Sequence, residues 1–183
     1  MIGIVIGIIV IVVILLFFVI MYNKFVNLEN MVTEAFSTMD VYLKKRWDLI
    51  PNLVECVKGY AEHEKNTLEE IVKLRNNVYD KMNSKEKVEN GDKISSRASK
   101  LILFAESYPQ LKANENFMRL SEQLIQIEND IENSRKYYNG TVKNYNIAIL
   151  KFPNNIAAKI FGRKPKDMFE AKTEEKDNVK ISL

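Results

Sequence analysis

The sequence predicts an all-α protein, with an N-terminal transmembrane helix continuing into an antiparallel up-and-down four-helix bundle. The run from Ile2 to Met21 has no charged residue, whereas the rest of the 183-residue chain is highly charged and repeats its apolar residues at helical spacing. With 6 Gly and 4 Pro there are too few turn residues for a multi-stranded β fold. We divide the chain into a transmembrane anchor (1–21), a helical bundle (22–152), a short basic amphipathic segment (153–166) and a mobile tail (167–183).

The anchor prediction depends on length and composition. About 20 apolar residues form a helix of roughly 30 Å, the thickness of a bilayer's hydrocarbon core. A cleaved signal peptide is disfavoured, because no Lys or Arg precedes the run and no small-residue cleavage site follows it. Lys24 on the C-terminal side predicts a single-pass protein of the cell membrane, with the N-terminus outside and the body cytoplasmic. Gly3 and Gly7 have the spacing that lets membrane helices approach closely, which allows a homo-oligomer.

The chain after the anchor carries apolar residues at helical spacing. From Phe25 to Leu49 they recur three and four residues apart, which is typical of the buried face of a helix. Pro51 is expected to end this helix, because proline disfavours helical backbone at the residue before it and suits the first turn of the next helix. A second helix is then predicted from about Pro51 to about Met82.

Two further helices are predicted beyond a polar stretch that contains Asn90-Gly91, a dipeptide typical of turns. A third helix is expected over about Lys93 to Ser107. The fourth begins near Glu115 and keeps apolar residues at heptad spacing as far as Phe152. Short connections favour packing as antiparallel neighbours, and a single long coiled coil is the alternative.

A basic segment follows the predicted bundle. Residues 151–166 contain several basic side chains and no acidic one, with Ile156 and Ile160 at helical spacing. Such a segment suits the surface of an anionic lipid bilayer. A cap packed on the end of the bundle is an equally open interpretation. The candidates for contact with the membrane surface are Lys151, Lys159, Phe161, Arg163, Lys164 and Lys166.

A polar cluster lies where the first two predicted helices meet, and further charges interrupt the apolar face of the second. One interpretation is an internal ion network that sets the register of the helices. The other is a docking site for a protein partner. The candidates for either role are Asp40, Lys44, Lys45, Arg46, Asp48, Asn52, Glu64 and Arg75.

Histidine and cysteine are too scarce for most metal sites and catalytic constellations. The pair His63-Glu64 lacks the second His that a HExxH zinc site needs. Cys56 has no suitably placed base, since the only His lies seven residues away on the same predicted helix. We therefore expect no enzymatic activity, no cofactor and no metal. A formal net charge of +3, spread over mixed signs, is too weak to indicate binding to nucleic acid.

Several blocks of the sequence together resemble the LemA family. In chain order these blocks are Asp40–Glu55, Val57–Glu64, Ala105–Phe117, Tyr137-Tyr138-Asn139, Tyr145-Asn146 and Phe152-Pro153-Asn154. The resemblance covers nearly the whole chain. It implies a bacterial protein with one N-terminal membrane span and an antiparallel helical bundle.

The resemblance also bears on function. It implies no known catalytic activity and an association with membrane-protein quality control, envelope stress or membrane organisation. We therefore expect a non-enzymatic, membrane-anchored scaffold or adaptor, with the lipid bilayer and a membrane protein, such as a protease or a stress-response component, as partners. A self-assembling or lipid-binding protein that organises membranes is the alternative.

Overall fold

The computed structural model describes residues 1–60, 65–75 and 79–169. These residues form six α-helices and one 3-10 turn at Tyr79–Lys81. The helices are α1 (Ile2–Lys58), α2 (Lys65–Arg75), α3 (Ser84–Ala105), α4 (Pro109–Lys112), α5 (Glu115–Leu150) and α6 (Asn154–Ile160). The described residues contain no strand, so the predicted all-α class is confirmed. The up-and-down four-helix arrangement stays a prediction.

The N-terminal part of α1 has the properties expected of a membrane span. Every residue from Met1 to Leu16 is exposed, and the run is almost entirely aliphatic. Among the described helices, α1 is long and apolar enough to cross a bilayer. Exposing so many aliphatic side chains to water is unfavourable, because each large one is stabilised by about 1.5–3 kcal/mol of free energy when it leaves water.

The chain divides into two compact units. Unit 1 comprises Met1–Phe36 and the chain from Arg135 onward, whereas unit 2 comprises Ser37–Ser134. Helices α1 and α5 contribute residues to both.

Unit 1 has a core of small and aromatic residues from α1, α5 and α6. Phe25, Val32 and Ala35 of α1 are buried together with Tyr138 and Tyr145 of α5. The rings of Phe36 and Tyr138 meet edge to face, with centroids 6.0 Å apart. The core continues into α6, where Ala157 and Ala158 are buried.

Unit 2 buries the apolar faces of α1, α2, α3 and the first part of α5. Five residues at the heptad positions predicted for the fourth helix are buried, some in each unit. They are Phe117, Leu124 and Ile131 in unit 2, and Tyr138 and Tyr145 in unit 1. Helix α3 begins with a capping box, in which the Asn83 side chain accepts a hydrogen bond from the Glu86 amide and the Glu86 carboxylate accepts one from the Asn83 amide.

Four expectations about helix boundaries were wrong. Helix α1 does not end at Pro51 but continues through it to Lys58. The second helix does not run from about Pro51 to about Met82, because residues 51–58 belong to α1 and α2 spans Lys65–Arg75. The dipeptide Asn90-Gly91 is not a turn, because α3 already begins at Ser84. Phe152 does not face the core: α5 ends at Leu150, and Phe152 is 75% exposed.

The beginning of the predicted mobile tail is docked on unit 1. Asn139 of α5 donates to the Phe169 carbonyl at 2.8 Å and accepts from the Phe169 amide at 2.9 Å. Asn146, seven residues further along α5, makes the same pair of bonds to the backbone of Lys166. The chain is therefore held against α5 at Lys166 and Phe169, and the rest of the predicted tail (170–183) lies outside the described residues.

Candidate functional site

The charged cluster predicted at a helix corner lies instead within the continuous helix α1. Arg46 is its buried member, with only 1% of its surface exposed. Its Nη1 donates to both carboxylate oxygens of Glu128 on α5, at 3.1 and 3.0 Å. A buried guanidinium needs a counter-charge, since its desolvation is otherwise uncompensated. The Arg46 guanidinium lies beside Gly91 of α3. A Cβ atom at position 91 would overlap this guanidinium.

A second ion pair of unit 2 centres on Asp40. Its carboxylate accepts from Lys87 Nζ at 2.8 Å and from the Tyr79 hydroxyl at 2.7 Å. Burial raises the pKa of Tyr79, and the hydrogen bond to the Asp40 carboxylate raises it further. The phenol therefore stays protonated and donates to Asp40. Lys44 and Lys87 also lie over the Tyr79 ring, 5.4 and 4.7 Å from its centroid.

The other members of the cluster are closer to solvent. Lys44 and Asp48 form a partly exposed i,i+4 pair at 2.7 Å, which contributes little to stability. Lys45 is exposed and lies over the Tyr42 ring, and Asn52 is exposed. Glu64 lies outside the described residues, and so does the side chain of Arg75.

The basic segment after α5 is anchored to α1 by one carboxylate. Arg163 and Lys166 both pair with Glu29, the lysine at 3.1 Å. The Arg163 guanidinium also lies 5.7 Å from the centroid of the Tyr22 ring. Phe161 is half-buried in the same place. The remaining candidates for the membrane surface, Lys151, Lys159 and Lys164, are exposed.

The clamp formed by Asn139 and Asn146 was missed by sequence reasoning. Each of these residues follows a buried tyrosine, Tyr138 or Tyr145, so the pair Tyr-Asn repeats after seven residues. This repeat is a signal that could have revealed the clamp from the sequence. Asparagines one heptad apart lie on one face of a helix, beside the buried apolar residues of that helix. An amide at each position can both donate to and accept from one residue of an extended backbone.

Gly3 and Gly7 lie on the exposed part of α1. A Cβ atom at either position would have nothing within 4 Å. Both positions are therefore open to a second helix, and the predicted helix–helix contact in the membrane stays a prediction.

Metal-binding side chains do not cluster within the described ranges. No group of three or more His, Cys, Asp or Glu in residues 1–60, 65–75 and 79–169 could hold a metal ion. Cys56 is a free, half-buried thiol, and His63 lies outside these ranges. The expectations of no enzyme, no cofactor and no metal stay predictions.

Comparison with known proteins agrees with the resemblance seen in the sequence. The LemA family matches residues 35–183. Protein LemA of Metamycoplasma hominis is 24% identical over 161 residues, which cover 87% of this chain and 74% of that protein. Magnetosome proteins MamQ 1 and MamQ 2 of Paramagnetospirillum magneticum are each 25% identical over 177 residues, which cover 82% of this chain. The chain spans 65% of each magnetosome protein, slightly less than two thirds. Because the family match extends over most of its length, the chain belongs to the LemA family.

Proposed function

We propose that the protein is a non-enzymatic, single-pass membrane-anchored helical scaffold or adaptor, linked to membrane-protein quality control or envelope stress. The observation that carries this proposal is the continuity of α1. One helix, Ile2–Lys58, contains both the exposed apolar run and core residues of both units, such as Phe25 and Leu43. A helix that leaves the bilayer without a break tethers the folded units to the membrane.

The cluster on α1 offers a restricted surface to a partner. Arg46 is buried against Glu128, and Asp40 is held by Lys87. Docking would therefore involve the accessible members of the cluster, namely Lys44, Lys45, Asp48 and Asn52. We propose that a membrane protein, such as a protease or a stress-response component, contacts α1 through these side chains.

Photo-crosslinking in intact membranes tests the adaptor role. A photoreactive amino acid at Asn52 is expected to give a discrete adduct with another membrane protein. The same group at Lys143, an exposed residue of α5 in unit 1, serves as the matched control and should not give that adduct. If Asn52 yields only adducts with lipid or with sister copies, the adaptor role is contradicted.

The alternative is a self-assembling or lipid-binding protein that organises membranes. The open space around Gly3 and Gly7 favours it, because small residues four apart let two membrane helices pack closely. Crosslinks between sister copies through the span, lost in Gly3→Leu with Gly7→Leu, would support this alternative over the adaptor.

The proposed orientation has the N-terminus outside and the body in the cytoplasm. Lys24 supports it, because this exposed basic residue lies just beyond the C-terminal end of the span, whereas no basic side chain precedes the span in the sequence. A reporter enzyme fused after Leu183 that is active only in the cytoplasm should be active. An inactive but expressed fusion would contradict this orientation.

A further inference from the structure

We propose that α6 is a second point of attachment to the membrane, where Phe152, Ile156 and Ile160 insert into the headgroup region of an anionic phospholipid bilayer beside α1. This inference deepens the proposed function and rests on α1 crossing the membrane. Three features of unit 1 support it: where α6 is held, which side chains it exposes, and how the nearby charges are distributed.

Contacts between aromatic rings hold the end of α6 where the apolar run of α1 finishes. The ring centroids of Phe161 and Phe18 are 6.1 Å apart, and those of Phe161 and Tyr22 are 5.2 Å apart. Phe18 belongs to the uncharged run, and Tyr22 directly follows it. Tyrosine favours this level of a bilayer, because its ring is apolar and its hydroxyl can reach water. Helix α6 is therefore fixed at the boundary between lipid and water.

The side of α6 that faces away from the core exposes large apolar residues. Ala157 and Ala158 pack into the unit 1 core, whereas Ile156 is 51% and Ile160 63% exposed. Residues four apart lie on the same side of a helix, so the two isoleucines form one apolar ridge. Phe152, just before α6, is 75% exposed. At this depth in the membrane, lipid is the apolar phase that can cover these side chains.

The basic side chains of the segment form two groups with different roles. Arg163 and Lys166 both pair with Glu29, so they hold the segment against α1. Lys159 and Lys164 are exposed, as is Lys24 just beyond the span. Each exposed lysine near an anionic surface favours binding to it electrostatically. Exposed ammonium groups around an apolar ridge match anionic phospholipid headgroups above acyl chains. They would instead repel the same groups on a second copy.

Depth measurements on the full-length chain in lipid nanodiscs test this inference. The nanodiscs contain phosphatidylglycerol and phosphatidylcholine, with or without a nitroxide-labelled lipid that quenches fluorescence. A genetically encoded fluorescent amino acid replaces Ile160, Ile9 or Tyr137, one position per sample. Ile9 lies in the apolar run of α1, and Tyr137 is 54% exposed on α5 in the same unit.

The expected result is quenching by the labelled lipid that is several-fold stronger at position 160 than at position 137, with weaker quenching by aqueous iodide. Strong quenching by lipid at position 9 together with equal behaviour at positions 160 and 137 would overturn the inference and leave the anchor intact. Protection of position 160 from both quenchers would also overturn it, because protein rather than lipid would then cover α6. Access of iodide to position 9 would refute the anchor itself, and the inference with it.

Discussion

Replacing Gly91 by Ala is expected to destabilise unit 2, although the same change usually stabilises a helix. Gly91 lies inside α3, where Ala is normally favoured over Gly by about 1 kcal/mol. A Cβ atom at this position would lie 2.1 Å from Nη2 of Arg46 and 3.3 Å from its Cζ. No stable contact is so short, so the guanidinium has to move.

The size of the effect follows from what holds Arg46. Its side chain is 1% exposed and donates to both carboxylate oxygens of Glu128, so any displacement disturbs both its packing and these charged hydrogen bonds. Forcing an extra methyl group into packed surroundings costs about 1–3 kcal/mol. Weakening the charged hydrogen bonds costs about 1.5–3 kcal/mol more. After subtracting the gain of about 1 kcal/mol in helix propensity, we expect a net loss of about 1.5–5 kcal/mol in the free energy of unfolding.

Thermal unfolding followed by far-ultraviolet circular dichroism in detergent micelles measures this effect. For a chain of this size the expected loss corresponds to a fall in midpoint of about 3–20 °C. The matched control is Gly140→Ala in α5, where a Cβ atom meets nothing within 4 Å and a gain of about 0.5–1 kcal/mol is expected.

A double-mutant cycle identifies the cause. If Arg46 is the obstacle, the penalty of Gly91→Ala should largely disappear in the background of Arg46→Met, whose side chain has no guanidinium. The reasoning is refuted if Gly91→Ala unfolds at or above the wild-type temperature, or if its penalty is the same in both backgrounds.

Three further perturbations probe other contacts. Because burial and the bond to Asp40 raise the pKa of Tyr79 above its ordinary value near 10, the native state keeps a proton that the unfolded chain releases, and stability is lost as pH rises above about 10. Urea titrations should show a smaller decline in Tyr79→Phe than in the wild type, by at most about 1.4 kcal/mol per pH unit, and equal declines would argue against this coupling. In Asn146→Ala the backbone amide of Lys166 loses its acceptor, so hydrogen exchange there should accelerate by roughly tenfold, whereas an unchanged rate would mean that the clamp does not hold this segment. Glu29→Gln should cost about 1 kcal/mol at low salt and less in high salt, because the pairs are only partly buried, and a penalty that rises with salt would contradict this electrostatic account.

The helical class of the protein could be read from local pattern. The heptad series from Phe117 to Phe152 was expected to be buried, and every member except Phe152 is. Residues three, four and seven apart meet on one face of a helix whatever the distant chain does, so this prediction needs no tertiary information. The same is true of the apolar run in α1, because a bilayer span is a matter of length and composition.

Helix boundaries predicted from local sequence preferences were wrong where other interactions outweighed those preferences. Proline inside a helix costs about 3 kcal/mol, yet α1 continues past Pro51. Beyond the proline, Leu53, Val54 and Val57 are all buried on the helix, and their burial exceeds that cost. Asn90-Gly91 favours a turn in isolation, but the capping box at Asn83 starts α3 earlier.

For the candidate site, too, the sequence predicted some features and tertiary packing decided the others. The sequence marked Arg46 as a candidate for an internal ion network, in which a buried charge requires a partner. Its partner Glu128 is 82 residues away, and the glycine that gives it room belongs to a third helix. Likewise, Arg163 and Lys166 were marked as candidates for lipid contact, and only folding brought Glu29 beside them.

Local composition thus sufficed to place the apolar run, and periodicity sufficed to predict the helical class and the buried faces, because those properties arise between near neighbours. Folding alone decided where α1 ends, which carboxylate neutralises Arg46 and which lysines stay exposed around α6. Those outcomes depend on atoms from distant parts of the chain that meet only when the helices pack.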